Sequence, residues 1–95
     1  MTTRQESSVH VEKIRSHLLA ELARRLDEYG CDTALADQLS GGAVLWVDRN
    51  PPPQGGICVR AVEQPNGWVY VWGRERLGAR HLDEAAARIA RTVAE

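Results

Sequence analysis

The stretch Ile57-Cys-Val-Arg-Ala-Val-Glu-Gln-Pro-Asn-Gly-Trp-Val-Tyr-Val-Trp72 decides the fold. Two runs rich in β-branched and aromatic residues flank Pro65-Asn66-Gly67, a tight-turn signal, so the stretch predicts a β-hairpin. Its strands cover residues 57–63 and 68–72, and Gly73 ends the second. Upstream, residues 43–48 (Ala-Val-Leu-Trp-Val-Asp) read as a further strand. That strand stops at Asn50-Pro-Pro-Pro-Gln-Gly-Gly56, because three consecutive prolines lack the N–H a ladder needs. The short connections make the three strands an antiparallel meander.

Helical periodicity brackets the sheet. Val11, Ile14, Leu18, Leu22, Leu26 and Tyr29 recur at spacings of three and four, which predicts an amphipathic helix over residues 8–29. Residues 1–7 are expected as a tail, although Thr3-Arg-Gln-Glu6 matches a capping box and Ser7 and Ser8 are later cap candidates. Arg24 and Arg25 suit the negative end of the helix dipole, and Gly30 suits the position just past the end. A closing helix spans residues 82–94, with Leu82, Ala85, Ala86, Ile89 and Val93 on one face and Asp83-Glu84 in its first turn. Residues 31–42 allow two readings. Leu35 and Leu39 are four apart, as in a short helix, whereas Thr33, Leu35 and Asp37 alternate with Ala34 and Ala36 as in an edge strand, the preferred reading. The expected fold is therefore one α+β domain over residues 1–95, in the order α-(β)-β-β-β-α. It is an antiparallel meander sheet with two helices packed on one face.

Side chains alternate across a strand, so each strand divides into two faces. Grouping by chemistry puts Leu45, Val47, Ile57, Val59, Val69 and Val71 under the helices, in one core with Leu18, Leu22 and Ile89. The other face then gathers Trp46, Trp68, Tyr70 and Trp72 with Arg60 and Asp48. In a two-layer domain that aromatic face meets water and has the composition of an interaction site. If one helix instead covers each face, the tryptophans are ordinary core.

The chain has 95 residues and a formal charge of −1. A domain of this length buries only about 60–65% of its unfolded surface, so dimerisation would support it. The near-neutral charge argues against a dedicated nucleic-acid or membrane-surface binder. Phe is absent and so is the aromatic motif of RNA-stacking sheets, which argues the same way. Two cysteines, Cys31 and Cys58, lack CxxC spacing and read as free thiols in a reducing cytoplasm. Neither a signal-peptide stretch nor an apolar run of membrane-spanning length stands out.

Chemistry is sparse. His10 and His17 lie seven apart, which is the wrong spacing for a metal pair, and His81 has no Ser or Cys nucleophile near it in sequence. Gly41-Gly42 and Gly55-Gly56 open no phosphate-cradle motif. No cofactor, metal site or catalytic set is expected, and the chain does not read as an enzyme. Arg74, Arg76 and Arg80 form a basic stretch leading into a helix start, either a possible anion site or a solvated loop.

Leu45-Trp-Val47, Gly67-Trp-Val-Tyr-Val-Trp-Gly73 and Ala85-Ala-Ala-Arg-Ile-Ala-Arg91, after a leucine-rich helix ending in Gly30, resemble a group of small proteins of Streptomyces and related actinobacteria. The excess of Arg over Lys and the many alanines fit the GC-rich coding of such organisms. Members are often encoded beside helix-turn-helix regulators, and the resemblance implies an accessory or regulatory role without catalytic residues. The resulting expectation is a homodimeric cytoplasmic module that binds a protein through Trp46, Arg60, Trp68, Tyr70 and Trp72. The alternative is a small-molecule or anion-binding domain using the Trp46/Trp68/Trp72 face and Arg60.

Overall fold

Only Pro65 and Asn66 separate strand β3 (Ile57–Gln64) from β4 (Gly67–Trp72), and this two-residue loop sets Gln64 opposite Gly67. Pro65 presets a negative φ, and no described residue other than glycine has a positive one, so the turn is not of the primed type common in hairpins. Gly67 absorbs the mismatch in twist at φ +129°. From there the register runs Val62 opposite Val69, Ala61 opposite Tyr70 and Val59 opposite Trp72. Residues opposite one another share a face, so this count assigns every side chain of the hairpin to a side.

The computed structural model describes residues 2–38, 42–49 and 56–94. Helix α1 (Thr2–Glu28) leads into β1 (Cys31–Gln38) and β2 (Gly42–Arg49); β3, β4 and β5 (Glu75–Gly78) follow, and α2 (Leu82–Ala94) closes the chain. The five strands lie in sequence order, each antiparallel to the next. Architecture and class agree with expectation: an α+β meander with both helices on one face. Residues 2–7 belong to α1 rather than to a tail, and they contain no Gly or Pro to oppose helix. The ambiguous segment is the strand β1. Ser40, Gly41 and the 50–55 stretch with its three prolines lie outside the described residues.

At the end of α1, the amides of Tyr29 and Gly30 donate to the carbonyls of Leu26 and Asp27, each at 3.0 Å. Gly30 sits at φ +81°, the left-handed residue that lets a helix stop and turn. Leu19, Leu22 and Leu26 of α1 meet Ala85, Ala86 and Ile89 of α2 over Leu45, Val47, Val59, Ala61, Tyr70 and Trp72 of the sheet. Small residues make room for the aromatics: Ala61 stands opposite Tyr70, and the alanine pair of α2 joins the same core. No described helix is long and apolar enough to cross a membrane.

This packing overturns the expected grouping. Trp68, Tyr70 and Trp72 face the helices, whereas Val69 and Val71 point to the other side. Neither valine is in the core, because the two-residue loop locks Tyr70 onto the side of Ala61 and Val59. A one-residue slip would exchange the sides, and burying a continuous helix-facing surface leaves no room for it. Tyr29, expected on the stripe of α1, is exposed, and Leu19 takes its place in the core.

Candidate functional site

The aromatic cluster expected on one face is divided between two. Tyr70 is fully buried and Trp72 is 2% exposed. The Tyr70 hydroxyl donates to the carbonyl of Leu18 at 2.8 Å, tying the sheet to α1. Burial, aided by the negative charge of Glu21, pushes the Tyr70 phenol up to about 12, so it stays protonated and donating through any physiological pH. Trp72 has no such anchor. Its indole Nε1 is buried with no hydrogen-bond partner among the described residues, which costs about 1–3 kcal/mol. These two are structural residues.

Trp46 and Arg60 keep the expected side. Their face of the sheet, which neither helix covers, carries Cys58 directly opposite Trp46, then Val62, Val69 and Val71, all half-buried. Trp46 is 46% exposed. Asp32 lies on this face at the β1 edge, Asp48 on β2, and Arg76 on β5. Val44, on the same side, is almost completely buried. The face thus carries a tryptophan toward one end of the strands and β-branched residues toward the other, with acidic groups toward one edge and basic groups toward the other.

The stretch with Arg74, Arg76 and Arg80 is not a loop. A turn at Gly73-Arg74 returns the chain as β5, with Trp72 opposite Glu75 and Tyr70 opposite Leu77. Arg74 stands at one end of this strand and Arg80 just past the other, separated by more than ~10 Å at strand rise. The three arginines do not converge. Arg76 and Arg80 do line one cleft, of about 840 Å³, between α1 and the corner where β4 outruns β5. Its apolar wall is Ile14, Leu18, Trp68 and Ala79, and Gln64 and Asn66 add neutral polar groups.

Arg15 closes the back of this region and was not foreseen. Its guanidinium lies over the Trp68 ring, 5.6 Å from the centroid; its Nε donates to the carbonyl of Ala61 at 3.0 Å; and it pairs with Glu12. The only trace in the sequence is an arginine inside an apolar stripe, between Ile14 and Leu18. Cys31 and Cys58 are both free and lie on opposite sides of the sheet. Burial, then the charge of Asp32, raises the Cys31 thiol and makes it a poor nucleophile. His10, His17 and His81 are exposed; the carbonyl of His81 accepts from Ala85 at 2.9 Å and so opens α2.

No protein-family model, curated protein or solved structure matches the chain.

Proposed function

We propose that the chain is a small cytoplasmic protein-binding module, an accessory or regulatory partner, which docks through the outer face of its sheet and there pairs with a second copy of itself. One observation carries the reading: Trp46 stands nearly half exposed opposite Cys58, on a sheet face that neither helix covers and that carries Val71, Val62 and Val69 further along. The solvated side of a two-layer domain ordinarily alternates to polar residues. A β-branched patch with a tryptophan and flanking arginines has instead the make-up of a contact surface.

Charge and area point to a second copy as the occupant. A two-fold axis between the two faces, inclined to β3 because Arg76 is level with Ala36 rather than with Asp32, would bring the acidic edge of each copy, at Asp32, to the basic edge of the other, at Arg76. Five strands about 4.8 Å apart and roughly 25 Å long present on the order of 500 Å². That lies below the ~800 Å² per partner of a standard interface and suits a weak, reversible dimer. The aromatic small-molecule face at Trp46, Trp68, Trp72 and Arg60 drops out as an alternative, because those residues lie on both sides of the sheet.

Sedimentation velocity tests the reading. Wild type should run as a dimer at high micromolar concentration. Val71→Lys should run as a monomer with unchanged far-ultraviolet circular dichroism, since it sets a charge in the middle of the patch without touching the core. A wild type that stays monomeric up to millimolar concentration overturns the proposal.

A further inference from the structure

The cleft at the corner of the sheet borders the outer face, with which it shares Val69 and Arg76. Three of its properties converge on one class of ligand. The first is size: about 840 Å³ lies within the range of pockets that hold drug-sized molecules. The second is charge. Arg76 and Arg80 line the cleft, no Asp or Glu does, and neither arginine makes an ion pair among the described residues. By contrast Arg15, Arg24, Arg25 and Arg88 each have a carboxylate partner. Two guanidiniums without a carboxylate partner, Arg80 donating only to the Nε2 of His81 at 3.4 Å, over an opening lined by no acid, form a local positive site in a chain of net charge −1. The third is the wall. Trp68, Ile14 and Leu18 offer an indole and two aliphatic side chains, partly exposed, where the core would otherwise have closed over them.

The geometry is held in place. The amide of Ala79 donates to the carbonyl of Trp68 at 2.9 Å, and that of His81 to Gly78 at 2.9 Å, so the turn carrying Arg80 is pinned to the strand carrying the indole. The guanidinium of Arg15 covers Trp68 from the α1 side and fixes the ring without adding to the charge in the cleft, because Glu12 neutralises it.

We infer that this cleft binds an amphiphilic organic anion, an aryl or acyl chain bearing one carboxylate or sulfonate. The apolar body packs on Trp68, Ile14 and Leu18, and the head is held by charge-assisted hydrogen bonds from Arg80 and Arg76. A cation meets two like charges there, and a small inorganic anion leaves the apolar wall empty, so neither is the ligand.

The test uses 8-anilinonaphthalene-1-sulfonate, whose fluorescence rises on leaving water, together with its uncharged analogue N-phenyl-1-naphthylamine. Folded wild type should bind the sulfonate saturably at one site per chain and bind the neutral analogue at least about tenfold more weakly. Arg80→Gln, on an exposed side chain away from the outer face, should weaken the sulfonate by roughly five- to tenfold, as expected for one partly solvated charge-assisted bond. Trp46→Ala, on the outer face but outside the lining of the cleft, should leave that affinity unchanged, which separates this site from the dimer surface. Absence of saturable binding, equal affinity for the neutral probe, or an unaltered affinity in Arg80→Gln would each overturn the inference. A monomeric wild type that still shows the Arg80-dependent site would remove the dimer and leave the cleft standing.

Discussion

Trp46 and Trp72 belong to the same sheet, two strands apart, and meet opposite surroundings: one is nearly half exposed, the other sealed under two helices. The contrast extends to their whole faces. The helix-covered side holds Tyr70, Trp72 and most of Trp68 beside small residues that make space for them, whereas the open side holds valines, Cys58 and one tryptophan. Both faces are apolar enough to be a core. Chemistry alone therefore does not say which side of such a sheet is inside. The pairing register says which side chains share a side, and here two loop residues set it.

The sharpest way to break this comparison is to truncate one tryptophan from each side. Trp72→Ala opens a cavity in the fully enclosed core and should destabilise the domain by about 3–5 kcal/mol, much of what so small a fold possesses. Thermal unfolding followed by circular dichroism should find it largely unfolded or with a greatly lowered midpoint. Trp46→Ala should leave the monomer within about 1 kcal/mol of wild type. Equal losses in the two variants would refute the assignment of faces.

A second expectation concerns alkali. The Tyr70 phenol titrates at about 12 in the fold and near its ordinary value of 10 when unfolded. Above pH 10 the unfolded chain therefore loses this proton first. The tyrosine's contribution is complete below pH 10 and is lost as pH rises toward 12, a decline of roughly 2–3 kcal/mol. Tyr70→Phe should flatten that decline while costing about 1 kcal/mol at neutral pH through the lost bond to Leu18. Urea titrations at several pH values check both. Trp72→Phe has the smallest expected effect. It removes an indole N–H that has no partner among the described residues, which offsets part of the lost volume, so the change should fall well short of that in Trp72→Ala.

Much of the architecture was legible in the sequence because it rests on local signals. The hairpin follows from Pro65-Asn66-Gly67, the end of α1 from Gly30, and α2 from its 3.6-residue period and acidic first turn. Strand β5 was missed because Glu75-Arg-Leu-Gly78 is short and charged, as edge strands often are. The side of each β4 residue was also within reach: counting two residues between Gln64 and Gly67 pairs Ala61 with Tyr70. Sorting by aliphatic and aromatic character obscured that count. The cleft was out of reach, since it joins Ile14 and Leu18 to Trp68 and Arg80 across more than half the chain, a tertiary proximity that no local pattern encodes.

The surface claim is tested most directly by Cys58, which lies opposite Trp46 on the open face. Its rate of modification by a thiol reagent should fall as protein concentration rises through the range in which wild type dimerises. In Val71→Lys it should stay fast at every concentration. Cys31, buried on the helix side, should react slowly throughout. A Cys58 rate that does not change with concentration while the protein sediments as a dimer would contradict the account, because the second copy would then be seated elsewhere.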